Sequence, residues 1–176
     1  MAYRAVLVDG DDKAQLYLDF LLDCRHQFTP PSSIKDTCFG AYRALAQGKA
    51  VIVQNNQHEV IAAGGFVYDF LESSEGTRKN VWIERVAVRE SYLGTRAFFK
   101  GLHYLVQILA GEQVDTVSFH AYKQNRYLLA LYGKFEGSRI NDDTLDTHRI
   151  YEVPFGQFMD RVQRIMIKDE KRGSTA

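Results

Sequence analysis

The sequence predicts one α/β domain: a mixed central sheet of about six to seven strands, flanked by helices and followed by an extra C-terminal helix. Three observations predict it. Residues 81–109, VWIERVAVRESYLGTRAFFKGLHYLVQIL, join a β-branched run, a polar turn containing Gly94 and an apolar helical pattern that begins near Thr95. Residues 114–132 repeat that order, a strand over 114–122 running through Asn125 into a short helix that carries Leu128, Leu129, Leu131 and Tyr132. Phe155, Phe158, Met159, Val162, Ile165 and Met166 then fall at i, i+3, i+4, i+7, i+10 and i+11, one apolar helical face. Strands alternating with helices in this way build layers around a shared core.

The elements follow in order. Residues 3–8, YRAVLV, read as a short strand. Asp9, Gly10, Asp11 and Asp12 supply turn and cap chemistry, and Leu16, Phe20, Leu21 and Cys24 recur at helical spacing, predicting a helix over 11–25. Pro30 and Pro31 cannot continue it. Ser33 with Asp36 three residues on is a capping pattern and Gly48 a stop, so a second helix is expected over 34–47. Two apolar runs, 50–54 and 59–70, flank Asn55, Asn56 and Gln57 and read as a hairpin. Gly64 and Gly65 interrupt its second strand, marking either a bulge or close packing against a helix. Residues 72–80 are expected to be a loop leading to the central strand over 81–88. Near the end, 137–141 is a candidate edge strand, 148–153 the last strand, and the helix from Phe155 either covers the sheet or meets a second copy, a possible homodimer.

At 176 residues the chain is long enough for a substantial core, and a single domain is expected over 1–168 with 169–176 as a disordered tail. Lys plus Arg and Asp plus Glu number 22 each, so attraction to nucleic acid has no obvious source. Cys24 and Cys38 lack CxxC or metal spacing, and no HxH or HExxH occurs, so no metal is expected. With no amino-terminal apolar segment and no apolar run of about 18 residues, a soluble, cytoplasmic protein without membrane contact is expected.

The strand–turn–helix at 81–109 has chemical meaning. The first turn of a helix leaves about four backbone N–H groups without partners and carries partial positive charge, so an entry loop with glycine either cradles a phosphate or simply turns the chain. With the downstream strand and helix, the chain resembles the GNAT superfamily of acyl-CoA N-acyltransferases. The resemblance rests on VRESY at 88–92 against V-x-P-x-(Y/F), LGTRAF at 93–98 against R-G-x-G-(I/L)-G, and Asn125 and Tyr132 against N-x6-Y-x-K-L-G-F. Leu93 stands for the usual arginine, Arg96 and Phe98 for two glycines, and KFEG at 134–137 for KLGF. The degenerate turn leaves two openings for Arg96, which either crowds a pyrophosphate or binds it by charge.

The resemblance implies acetyl-CoA or another acyl-CoA as cosubstrate, a small-molecule or peptide amine as acceptor, and direct transfer. It implies cofactor contacts at Val86, Ala87, Val88, Leu93, Gly94, Thr95, Arg96, Ala97, Phe98 and Asn125, with Glu84 as base acting through water and Tyr132 as the acid that protonates the thiolate. It also places the segment around Pro30 and Pro31 beside the acceptor. Each residue has a plainer reading. Alternation puts Trp82, Glu84, Val86 and Val88 on one face and Ile83, Arg85 and Ala87 on the other, so Glu84 is equally a structural ion-pair member. Tyr132 shares a helical face with Leu128 and Leu131, and Asn125 is a natural helix cap. Arg89 and Lys123, near strand ends, are candidate phosphate contacts, and His120 is an alternative base. The acidic cluster Asp142, Asp143 and Asp146 would favour a cationic acceptor if it borders the cleft. The competing expectation is a catalytically silent binding or regulatory protein of the same fold, in which the altered turn no longer admits the cofactor.

Overall fold

The computed structural model describes residues 3–73, 76–133, 135, 139–142 and 147–173. Its sheet has seven strands: β1 (Arg4–Leu7), β2 (Gly48–Gln54), β3 (Val60–Ser73), β4 (Gly76–Val88), β5 (Thr116–Tyr122), β6 (Arg139–Asp142) and β7 (His148–Pro154). They lie in the order β1-β2-β3-β4-β5-β7-β6, antiparallel except for β4 against β5. Five α-helices complete the described fold: α1 (Asp11–Asp23), α2 (Ile34–Gln47), α3 (Ala97–Ala110), α4 (Arg126–Tyr132) and α5 (Phe155–Gly173).

Local chemistry explains most boundaries. The Ser33 hydroxyl accepts the Asp36 N–H at 3.0 Å and donates to its carboxylate at 2.7 Å, so α2 starts where the capping pattern expects. α1 ends two residues early, at Asp23, and a single 3₁₀ turn, Arg25–Gln27, carries the chain toward the prolines. Asn55 turns the β2–β3 hairpin by accepting the N–H groups of Gln57 and Glu59 on its side-chain oxygen, while His58 takes the positive φ. The buried stripe of α1 is Tyr17, Phe20, Leu21 and then Cys24, with Leu16 44% exposed, so the expected stripe is corrected by one residue.

Two further expectations change. In the loop assigned to 72–80, residues 72–73 and 76–80 are strand, because β3 and β4 pair as far as Ser73↔Gly76 and run past β2 and β5 as a two-stranded ribbon. The last helix does not stop at Lys168 but continues to Gly173, and 174–176 lie outside the described residues. The candidate edge strand is present as β6.

α1 and α2 cover one face of the sheet and α3 and α5 the other. The larger core joins Phe66, Val81, Leu105, Leu109, Val117, Phe119, Tyr151, Phe158 and Val162. Phe158 and Val162 are fully within it, so α5 covers the sheet with this part of its apolar face.

Candidate functional site

The site begins with a register error. β3 and β4 pair as Gly64↔Val86 and then as Phe66↔Ile83, so Glu84 and Arg85 together oppose Gly65 and β4 bulges there. Gly65 is compressed on the helical side: a Cβ there would stand 2.5 Å from the Tyr17 hydroxyl and 2.6 Å from Ala44 Cβ. Close helix packing and the bulge therefore occur at the same place. The bulge resets the alternation. Glu84 and Arg85 both turn toward α2, whereas Val86 and Val88 join the α3 side with Ile83, which corrects the regular two-face pattern.

The second feature is a parting of strands. β4 and β5 pair only over Asn80↔Thr116, Val81↔Val117 and Trp82↔Ser118. The buried Asn80 pins this short contact by accepting the hydroxyls of Thr116 at 2.9 Å and Ser118 at 3.1 Å. Beyond Trp82 the β5-facing edge of β4 has no strand partner, and a cleft of about 470 Å³ opens there. Its walls come from the bulge, the 28–32 segment, the turn before α3, and α4.

The structure brings most of the singled-out residues to this cleft. Glu84, Val86, Ala87, Val88, Leu93, Gly94, Thr95, Phe98, Asn125 and Tyr132 all line it. Arg96 and Ala97 do not. Arg96 is the exposed residue preceding α3, while Ala97 is fully buried against Val53, Ile61 and Ala62, with its N–H accepted by Thr95 Oγ1 at 3.3 Å. Arg89 is also elsewhere, its guanidinium 5.7 Å from the Phe20 ring. Gly94 has φ +76°, a conformation L-residues avoid, and nothing lies within 4 Å of where its Cβ would be, so the turn presents open backbone to the cleft.

Glu84 sits on one wall with its side chain 11% exposed. Arg43 Nη1 lies 2.6 Å from Oε1 as an ion pair, although off the direction of a hydrogen bond. Burial raises the Glu84 carboxyl above its ordinary value, and the positive charges of Arg43 and Arg85 only partly oppose this. The structural reading and the cleft reading of Glu84 are thus both present in one side chain. Tyr132 is on another wall, its ring 4.4 Å from that of Phe119 and 5.7 Å from that of Tyr151. Asn125 caps α4 by accepting the Leu128 N–H at 3.0 Å and also reaches Thr29 Oγ1 at 3.4 Å, tying α4 to the proline segment.

His120, on β5, faces the same cleft. It stacks on Trp82 at 5.8 Å with His148 at its edge at 5.3 Å, and its Nδ1 is buried without a hydrogen-bond partner among the described residues. Burial, then the neighbouring His148 and Arg85, pushes it down to about 4, so it is neutral at pH 7. Sequence reasoning missed Arg43 and Tyr17. Nothing in the sequence distinguishes Arg43 from a surface arginine, but Tyr17 falls at i, i+3, i+4 and i+7 with Phe20, Leu21 and Cys24. Among the described residues no group of three or more His, Cys, Asp or Glu is gathered as metal ligands would be, and no helix is long and apolar enough to cross a membrane. Asp143, Asp146, Lys134, Glu136 and Gly137 lie outside the described residues, and Asp142 enters only as strand backbone.

The fold that carries this cleft is shared with solved structures. An acetyltransferase of the GNAT family from Staphylococcus aureus superposes with a TM-score of 0.66 over 88% of this chain and 99% of its own, at 14% identity. The fold is that of the GNAT superfamily. A second GNAT-family structure, a putative acetyltransferase from Desulfovibrio desulfuricans, gives a TM-score of 0.65 at 11% identity over 88% of this chain and 99% of its own. Arabidopsis thaliana NAA60 in complex with acetyl-CoA gives 0.59 at 13% identity over 86% of this chain and 97% of its own. No family model and no curated protein matches the sequence. The GNAT architecture is therefore visible in the backbone and faint in the residues, as expected when function is set by a site grafted on a fold.

Proposed function

We propose that the protein is an N-acyltransferase that moves an acyl group, acetyl in the simplest case, from acyl-CoA to an amine by direct transfer. The observation that carries this reading is the opened β4–β5 cleft with Glu84 and Tyr132 on its walls. An acyl-CoA supplies a thioester. The open edge of β4 at Val86, Ala87 and Val88 offers backbone groups that a pantetheine arm can pair with like an added strand, and that can polarise the carbonyl. The turn Leu93, Gly94 and Thr95, with Phe98 behind it and the first turn of α3, faces the pyrophosphate.

The amine nitrogen attacks the carbonyl carbon, forming the C–N bond as the C–S bond breaks. Glu84 takes the ammonium proton through water, and its raised affinity for protons suits that task. Tyr132 gives its proton to the leaving thiolate and is restored from solvent.

Calorimetric titration with acetyl-CoA and free CoA, backed by thermal melts, is the first test. Ligand at about 100 times its dissociation constant should add roughly 2.7 kcal/mol, raising the melting midpoint by about 5–10 °C. Absence of binding by both methods removes this reading in favour of a silent protein of the same fold. Given binding, Tyr132→Phe and Glu84→Gln should each lower kcat across an amine panel, and retention of full rate in both refutes the assigned roles.

A further inference from the structure

The bulge in β4 places two sequence neighbours on the same side of the sheet. In a regular strand Glu84 and Arg85 would face opposite ways. Here Glu84 reaches Arg43 on α2, while the Arg85 stem lies along Gly40 of the same helix, where an added Cβ would be 3.0 Å from Nε. Both side chains line the cleft, on its α2 side.

Their electrostatic situations differ. Glu84 already has a counter-ion in Arg43. Arg85 forms no close ion pair among the described residues: the Glu84 carboxylate feels its charge but pairs with Arg43, the Arg85 guanidinium carbon sits 5.1 Å from the Phe28 ring centroid, and its hydrogen bond is a long one, 3.4 Å from Nη2 to the Asp36 main-chain oxygen. The Asp36 carboxylate accepts the Ser33 hydroxyl on Oδ2 at the start of α2, and Asp36 also lines the cleft. A guanidinium carries five N–H donors in a planar fork and remains charged at every working pH. Held half-buried in a cleft with most of those donors unspent, it is built to receive a planar anion. His120, also lining the cleft, is neutral and adds no competing positive charge.

Resting on the acyltransferase reading, we propose that the acceptor is a free amino acid, its amine directed to Glu84 and its carboxylate held by the Arg85 fork. The spacing supports this choice. Consecutive Cα atoms are about 3.8 Å apart, so two side chains leaving them on one side can meet the amine and the anion of a single small molecule. A peptide amino terminus, whose neighbouring carboxyl is an amide, leaves Arg85 unpaired.

The test compares the common amino acids with their C-terminal amides as acyl acceptors for acetyl-CoA, with aminoalkylphosphonates as a third arm. Amides keep the amine and, being less basic, present more of it unprotonated near neutral pH, so chemistry alone does not disfavour them. At least one amino acid should exceed its amide in kcat/KM by about 10- to 100-fold, the range of a charge-assisted hydrogen-bonded pair. Arg85→Met, which keeps the stem on Gly40 and Phe28, should erase that ratio, and Arg85→Lys should keep part of it. Equal use of acids and amides, a ratio that survives in Arg85→Met, or preference for the phosphonates overturns the proposal. Melts with each acid or amide in the presence of free CoA give a readout independent of turnover. Stabilisation by an acid but not by its amide, lost in Arg85→Met, upholds the carboxylate site even if no amine is acylated. In that case only the acyltransferase reading falls.

Discussion

Gly64 and Gly65 are adjacent in sequence, yet substitution by alanine should have opposite consequences. At Gly65 the new Cβ would stand 2.5 Å from the Tyr17 hydroxyl and 2.6 Å from Ala44 Cβ. Both residues are fully buried, so neither can yield into solvent. Forcing a methyl between α1, α2 and the bulge should cost about 1–3 kcal/mol, the usual range for overpacking a tight core. For a chain of this size the melting midpoint should fall by about 2–12 °C. At Gly64 the nearest atom is Val86 Cγ2 at 3.4 Å, an ordinary contact, on the side of a small apolar cavity of about 40 Å³ beneath α3. Gly64→Ala should therefore be neutral or stabilising by up to about 1 kcal/mol, since it also restricts the unfolded chain. Urea titration and calorimetry on both variants decide the matter. The double substitution Gly65→Ala with Ala44→Gly should recover part of the loss, because it removes one of the two clashes. Equal destabilisation by the two alanines, or no recovery, would refute the account of how the bulge is held.

Three further outcomes are expected. Glu112 joins Lys49, Tyr68 and Lys79 beneath the end of α3. Burial alone would raise its carboxyl, but the hydrogen bonds from Lys49 and Tyr68 and the charges of Lys49 and Lys79 outweigh it and hold the group below the ordinary value. The stabilisation is thus present above the unfolded-state value and is lost as pH falls through the lower folded-state value. Glu112→Gln should cost about 1–2 kcal/mol at pH 7 in urea unfolding, with the gap to wild type closing as pH falls below the ordinary glutamate range. Tyr17→Phe removes a buried hydroxyl with no hydrogen-bond partner among the described residues, so denaturant midpoints should stay level or rise, whereas loss of about 1 kcal/mol would reveal a partner. His120 should show no imidazole titration by NMR between pH 6 and 8 and a midpoint near its lowered value of about 4; its contribution to stability is present above the unfolded value and declines as pH falls.

Much of the architecture was legible because it is local. The Ser33 cap and the apolar period of α2, the face of α5 and the order of strand, turn and helix from β4 to α3 each depend on residues a few positions apart, and short-range sterics and hydrogen bonding decide them. The ribbon at 72–73 and 76–80 was not legible: the Ser, Glu, Gly and Asn content of this stretch reads as loop, yet pairing of Glu72 with Thr77 and Asp69 with Asn80 makes these residues strand. The candidate site was legible only as a set of positions. Gly94, Tyr132 and Asn125 could be picked out by spacing, and Glu84 by its charge on an apolar strand, but Ala97 was drawn in with them although its side chain belongs to the core.

By itself, the sequence determined most of the helix and strand segments, their order, and the resemblance that led to the cleft. Tertiary structure alone decided that β4 carries two residues opposite Gly65, that it parts from β5 after Trp82, and that Arg85 consequently stands beside Glu84 rather than behind it. The reason is physical. Helix period and strand alternation are properties of one segment, whereas a bulge and a splay are relations between segments, set by how Tyr17 and Ala44 crowd Gly65 and how Asn80 pins Thr116 and Ser118.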